Sequence, residues 1–244
     1  MKMVRPILLG TGLLLLWQLL VTVTAVPHYI LPDPLRVMVA MFTHGPALLG
    51  HLRITLTEIV CGFLLGTGLG SLAAIIMTLS PLLKRWLLPI LVISQAIPVF
   101  ALAPVLVLWL GYGMASKIAM AVLIIFFPVA SSFYYGMQRT EPDLLELARV
   151  MDARTSATLR YIVIPGAMPA FASGVRVAIA VAPIGAVVGE WVGSSGGLGY
   201  FMLHANARMQ VDVMFAALVL LSAVSLSLYF LVDYTMEKIV FWQP

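Results

Sequence analysis

The chain has 244 residues, 62% hydrophobic and 10% charged, with a mean hydropathy of +1.06 and a formal net charge of +4. A water-soluble fold of this size needs far more charge to clothe its surface, so the composition excludes a soluble enzyme and predicts an all-α, polytopic membrane protein. The modest positive charge is read by its position along the chain rather than as a sign of nucleic-acid binding.

A transmembrane helix needs roughly 20 mostly apolar residues. Stretches of that kind are drawn at 7–26, 54–78, 87–110, 115–136, 168–189 and 213–234, which predicts about six spans. The first, preceded by Lys2 and Arg5, resembles a signal peptide. Its apolar run from Ile7 to Val26 is too long for a cleavable core, so a retained signal-anchor helix is expected. With a cytoplasmic N-terminus, Lys2, Arg5, Lys84, Arg85, Arg139, Arg149, Arg154, Arg160 and Lys238 fall inside. Arg36, Arg53, Lys117 and Arg208 fall outside, and Arg176 alone among the basic residues lies within a span. Nine against four supports this orientation, with both termini cytoplasmic.

Pro27, Pro32 and Pro34 predict an irregular linker and a short helix after the first span, giving an N-terminal unit over 1–50 and a transmembrane core over 51–244. His28, His44, His51 and His204 map to the outer side with scattered spacing, and no metal site is read from them. Cys61 sits among apolar residues and, being single, excludes an intramolecular disulfide. Gly62, Gly66 and Gly70 form a small-residue stripe in the second span, matched by Gly174, Ala178, Ala182 and Ala186 in the fifth. Either close internal packing or a subunit interface accounts for them. Ser80-Pro81 reads as a helix start, serine capping and proline in the first turn. Gly111-Tyr112-Gly113 reads as the turn between the third and fourth spans, and Pro98, Pro104, Pro128 and Pro183 interrupt apolar runs.

The polar segment 137–165 interrupts this pattern with Arg139, Glu141, Asp143, Glu146, Arg149, Asp152, Arg154 and Arg160. Thr140 with Asp143 suggests a capping box, and Glu146 is spaced to pair with Arg149. Leu144, Leu147, Ala148 and Met151 are expected on one face, Asp152 is expected to cap a second short helix, and Pro165 to end it. The result is an amphipathic helix and turn at the membrane surface, suited either to an interfacial loop or to docking a cytoplasmic partner.

Within that segment Glu146-Leu147-Ala148, three residues, Asp152, nine residues and Ile162-Val163-Ile164-Pro165 resemble the EAA motif of bacterial ABC importer permeases. That pattern reads EAA, three residues, G, nine residues, I-x-L-P. Leu147 stands for alanine, Asp152 for glycine and Ile164 for leucine. Residues roughly 50–235 resemble the family's five-helix type I core. They include Ile97-Pro98, Ala103-Pro104, Trp109 to Gly113, Pro169, Gly174, Arg176, Glu190 and Gly196-Gly197-Leu198-Gly199-Tyr200, most similar to the nitrate, sulfonate and taurine branch with its pyrimidine and riboflavin permeases. The resemblance implies that Glu146, Ala148, Asp152 and Pro165 couple the chain to an ATPase.

No Walker-type Gly-Lys-Ser/Thr run is present, so the chain is read as a transport subunit without its own ATPase and without a cofactor, ATP being used by the partner. The resemblance further implies a homodimer in the bacterial inner membrane, two cytoplasmic ATPase subunits and an extracytoplasmic substrate-binding protein. Gln95, Trp109, Tyr134, Arg176 and Glu190 are candidate pathway or inter-helix contacts, with Tyr135 as a further aromatic candidate. Two other functions stay open: an ion-gradient-driven secondary transporter and a non-transport scaffold. The cargo is open between a sulfonate, taurine or nitrate and a thiamine-precursor pyrimidine.

Overall fold

The structure, a computed structural model, describes residues 4–242, without the side chains of residues 4–7, 9, 95 and 96. Among the described residues it is helical throughout, with α1 at Val4–Thr24, α2 at Pro34–Thr43, α3 at Gly45–Leu79 and α4 at Pro81–Ala96. These are followed by α5 at Val99–Leu110, α6 at Met114–Gln138, α7 at Pro142–Val150 and α8 at Thr155–Thr158. A π-helical turn at Leu159–Val163 leads into α9 at Ile164–Gly193, and α10 at Leu198–Ala207 and α11 at Val211–Ile239 complete the chain. Four helical segments are long and apolar enough to cross a membrane: α3, α6, the continuous Thr155–Gly193 and α11.

The third predicted span is not one straight helix. Pro81–Ser94 and Val99–Leu110 meet at 106°, so residues 87–110 divide between α4 and α5 and together make at most one broken span. Pro98 stands at the break, where its ring biases Ile97 away from helical backbone (φ −81°, ψ 121°) and it offers no N–H to continue the ladder. The remaining start and stop signals behave as their chemistry dictates. Asp33 caps α2 by accepting from the Arg36 N–H at 2.8 Å, with Pro34 at the first helical position. Ser80 Oγ accepts from the Leu83 N–H at 3.3 Å at the head of α4. Gly111 ends α5 at φ +79°, a conformation open to glycine without steric cost.

The bundle is organised around α6, packed between α3 and α9. Both small-residue stripes are internal contacts onto α6. A Cβ at Gly66 would stand 2.7 Å from Ile125 Cγ2, one at Gly70 3.0 Å from the Phe126 carbonyl, and one at Gly174 2.7 Å from the Pro128 carbonyl. Glycine therefore sets the helix spacing, which in lipid is the main source of association through packing. Ala121, Ile125, Val129, Ala178, Ala182 and Ala186 complete this dry centre.

Helix α1 touches the rest lightly, through Trp17, whose Nε1–H donates to the Pro32 carbonyl at 3.1 Å and whose ring lies 5.8 Å from Phe215. The bundle thus has two ends. One carries α7; the other carries α2, α10 and the first turns of α3 and α6.

Candidate functional site

At the α7 end, α6 stops at Gln138 and the chain turns at Arg139. Thr140 Oγ1 donates backward to the Met137 carbonyl at 2.9 Å, closing α6 instead of opening α7, so the expected Thr140–Asp143 capping box does not form. Glu141 takes the cap position without a side-chain hydrogen bond, and Pro142 starts the helix. Helix α7 is two-sided. Ala148 is buried and Leu145 is half-buried against the core cluster that holds Met137 and Val163, whereas Leu144, Leu147, Val150 and Met151 are exposed, Val150 at 85%. The expected face is therefore split: Ala148 holds the helix down while Leu144, Leu147 and Met151 stand away from the bundle.

Glu146 is exposed beside them. Among the described residues the ion pairs are Arg36–Asp33 and Arg176–Asp233, so Glu146 and Arg149 do not pair.

The end of α7 is a Schellman motif: the Ala153 N–H donates to the Ala148 carbonyl at 2.9 Å and the Asp152 N–H to the Arg149 carbonyl at 3.0 Å. Asp152 sits at the C′ position with φ +54°, the left-handed conformation that favours glycine there. It does not cap the next helix; Arg154 occupies that position, without a side-chain bond. Nor does Pro165 end a helix. The chain runs continuously from Thr155 to Gly193, and the π turn just before Pro165, with the Ile164 N–H donating to the Leu159 carbonyl, widens the ladder where proline lacks a donor.

At the opposite end a buried polar cluster joins α3, α6, α9 and α10. Gly197 (φ +103°) precedes α10 and has no side chain with which to cap it. Three side chains from elsewhere satisfy the first backbone donors instead. His51 Nδ1 accepts from the Gly197 N–H at 3.1 Å, Thr55 Oγ1 from the Leu198 N–H at 2.8 Å, and Glu190 Oε2 from the Gly199 N–H. Thr55 Oγ1 in turn donates to Glu190 Oε1 at 2.6 Å.

Glu190 is 1% exposed. A Cβ at Gly197 would overlap its carboxylate, and one at Gly199 would stand 2.8 Å from Oε2, so the glycines of Gly196 to Tyr200 form the cradle for this one side chain. Glu58, also 1% exposed, adjoins Glu190, and its Oε2 has no hydrogen-bond partner. Lys117, buried nearby, donates to the Tyr112 and Gly113 carbonyls at 2.8 and 2.9 Å. It lies in α6 rather than in an outer loop, so Arg176 is not alone among the basic residues inside a span.

The remaining candidates are dispersed. Arg176 Nε pairs with Asp233 Oδ1 of α11 at 2.5 Å, beside a cavity of about 560 Å³ lined also by Pro169, Ser173, Glu237 and Phe241. Tyr134 is buried with its hydroxyl unpartnered and the Lys84 ammonium 5.3 Å from its ring; Tyr135 is exposed. Trp109 is 75% exposed on the outside of the bundle. The Gln95 side chain lies outside the described residues.

Sequence reasoning passed over Glu58, Thr55, Lys117 and Asp233. For the first two a signal was available: Thr55 and Glu58 continue the Gly62-Gly66-Gly70 stripe toward the start of α3, and a carboxylate in register with buried glycines is itself buried.

Comparison with known proteins gives concordant results. The family described as "Binding-protein-dependent transport system inner membrane component" matches residues 66–240. A probable ABC transporter permease protein of Haemophilus influenzae is 52% identical over 98% of both chains. A formylaminopyrimidine transport permease protein of Halalkalibacterium halodurans is 36% identical, covering 89% of this chain and 87% of its own. A riboflavin transport system permease protein of Chloroflexus aurantiacus is 34% identical over 95% and 87%. Among solved structures, the MetNI methionine ABC transporter shares the fold at a TM-score of 0.67 and 20% identity, covering 81% of this chain and 96% of that one.

Proposed function

This chain belongs to the binding-protein-dependent transport inner-membrane family and is a permease subunit of an ABC importer, and on that premise we propose how it is coupled and what it carries. Two copies form the translocation unit. Each presents α7 to one cytoplasmic ATPase subunit, and an extracytoplasmic binding protein delivers cargo to the end that bears α10. Both chain termini are cytoplasmic. The observation that carries this reading is the exposed Leu144, Leu147, Val150 and Met151 on a short helix pinned by Ala148. In a chain whose other exposed apolar residues can face lipid, this group sits at a helix flanked by Glu141, Asp143, Glu146 and Arg149. Such a patch suits a protein groove.

Helix α7 is tied at its head to α6 and at its tail to the continuous Thr155–Gly193 helix, so a partner that moves it moves both. ATP-driven closure of the two ATPases draws the two α7 helices together, and the spans pass from inward to outward access because the ATP-bound partner binds the two states unequally. Glu146, Asp152 and Pro165 serve this coupling in different ways: Glu146 as an exposed contact, Asp152 by stopping α7, and Pro165 through the π turn that joins α8 to α9. ATP remains the partner's cofactor and none is assigned to this chain.

The cargo is a small nitrogen heteroaromatic solute of the pyrimidine type. The similarity to permeases named for formylaminopyrimidine and riboflavin, at 36% and 34% identity, supports this over a sulfonate, whose Bacillus subtilis permease is 30% identical. Proteoliposomes carrying the permease, its ATPase and its binding protein should accumulate a labelled formylaminopyrimidine only with ATP inside, and should ignore taurine and alkanesulfonates. Uptake that persists without the ATPase under a proton or sodium gradient would show a secondary transporter instead. In the same system Glu146→Ala should weaken ATPase binding about tenfold, a loss of ~1.4 kcal/mol, while leaving membrane insertion unchanged. Normal assembly and uptake in that variant would remove Glu146 from the interface.

A further inference from the structure

The buried cluster at the α10 end poses a charge problem. Glu58 and Glu190 are each 1% exposed and lie against one another. Two ionised carboxylates so placed repel in a medium that screens weakly, and neither forms an ion pair among the described residues. The nearby cation, Lys117, is engaged by the Tyr112 and Gly113 carbonyls. A single proton shared by the carboxyl groups resolves the problem: with one carboxylate, one neutral acid and one ammonium, the cluster is neutral overall.

The geometry also says where the proton resides. Glu190 receives hydrogens from Thr55 Oγ1 and from the Gly199 N–H, and it stands at the N-terminus of α10, where the helix dipole and free amides favour an anion. Every contact of Glu190 calls for an acceptor. Glu58 is different: its Oε2 is buried with no donor in reach, which is costly for a carboxylate oxygen and far less so for the carbonyl of a neutral acid.

We infer that Glu58 and Glu190 form a proton-binding site, Glu58 as the acid donating to the Glu190 carboxylate, and that this proton fastens α10 to α3 and α9. The site goes beyond the transport reading and concerns protonation rather than cargo, so either can fail without the other. Lys117 of α6 lies near Glu58, His51 of α3 binds the Gly197 N–H beside Glu190, and His44, Tyr200, His204 and Arg208 line the adjacent cavity with His51. His51 accepts at Nδ1 from the Gly197 N–H, so acid titration there would break a loop bond by a separate route. The proton between the carboxyl groups is therefore tested from about pH 7 to about pH 9, above the ordinary range of histidine and below that of lysine and tyrosine.

The experiment is infrared spectroscopy of the protonated-carboxyl C=O stretch across that window, with thermal unfolding of the full-length permease in lipid nanodiscs near neutral pH. Wild type should show that band. E58Q should keep a wild-type-like midpoint and lose the band, because an amide can donate to Glu190 as the acid does. E190Q should unfold about 5 °C lower or more, or fail to fold, because an amide cannot accept at both oxygens.

Absence of the band in wild type, its survival in E58Q, or equal damage from the two substitutions would each overturn the assignment. Failure of E58Q to fold would count against it as well.

Discussion

A left-handed backbone costs a residue with a Cβ of the order of 1 kcal/mol, least for asparagine and aspartate, whose short polar side chains tolerate it. Asp152 accepts that conformation at the C′ position of α7. Asp152→Gly should therefore stabilise the end of α7 by about 0.5 kcal/mol, and Asp152→Val should destabilise it by about 1 to 2 kcal/mol. Thermal unfolding in detergent, together with ATPase binding, reads both; equal effects would show that φ at this position is not positive. From sequence the aspartate looked like a departure from the glycine of the motif, and the structure holds it in the left-handed conformation that favours glycine. Its role as a helix stop was out of reach because a Schellman turn is identified by which carbonyls receive the next two amides, and residue types alone do not specify that. Glu190 stood out in the sequence among the candidate pathway or inter-helix contacts. The register of Glu58 with the glycine stripe signalled its burial, but its meeting with Glu190 could not be read before the contacts between α3 and α9 were known.

At the scale of helices, the inter-helix tie between Arg176 of α9 and Asp233 of α11 invites a double-mutant cycle. Arg176→Met, Asp233→Asn and the double variant should show a coupling energy of about 1 to 3 kcal/mol, as expected for directly contacting groups in a poorly screened site. Purely additive losses in unfolding free energy would show that the pair contributes nothing to helix packing. Arg176 was recognisable as an unusual charge, but Asp233 lies 57 positions away and nothing local announces their meeting. Proline was read well at Pro81, where it opens a helix, and less well elsewhere: Pro34, expected in the linker, opens α2. Pro98 breaks the third apolar segment through 106°, whereas Pro165 breaks nothing because the preceding π turn absorbs it. The same ring has opposite outcomes, decided by whether the ladder around it can widen.

For the whole molecule, hydropathy and the glycine stripes sufficed to place the long helices and to suggest their close contact, because lipid leaves backbone pairing and small-residue packing as the principal options. Coverage of 98% of a probable ABC permease and the shared fold with the MetNI transporter agree with that plan. Native mass spectrometry of the co-expressed complex should record about two permease chains with two ATPase chains, the stoichiometry that the C2 symmetry of a homodimer requires; a stable single permease retaining full uptake would contradict the dimer.

The capping of α10 also constrains biogenesis. Its first amides are satisfied by His51, Thr55 and Glu190, two of which are synthesised more than 140 residues earlier. This helix start cannot be completed by α10 and its own neighbours alone. It awaits the docking of α3 beside α9, so its amides should be among the last to gain protection from hydrogen exchange, a late seal on a bundle already inserted.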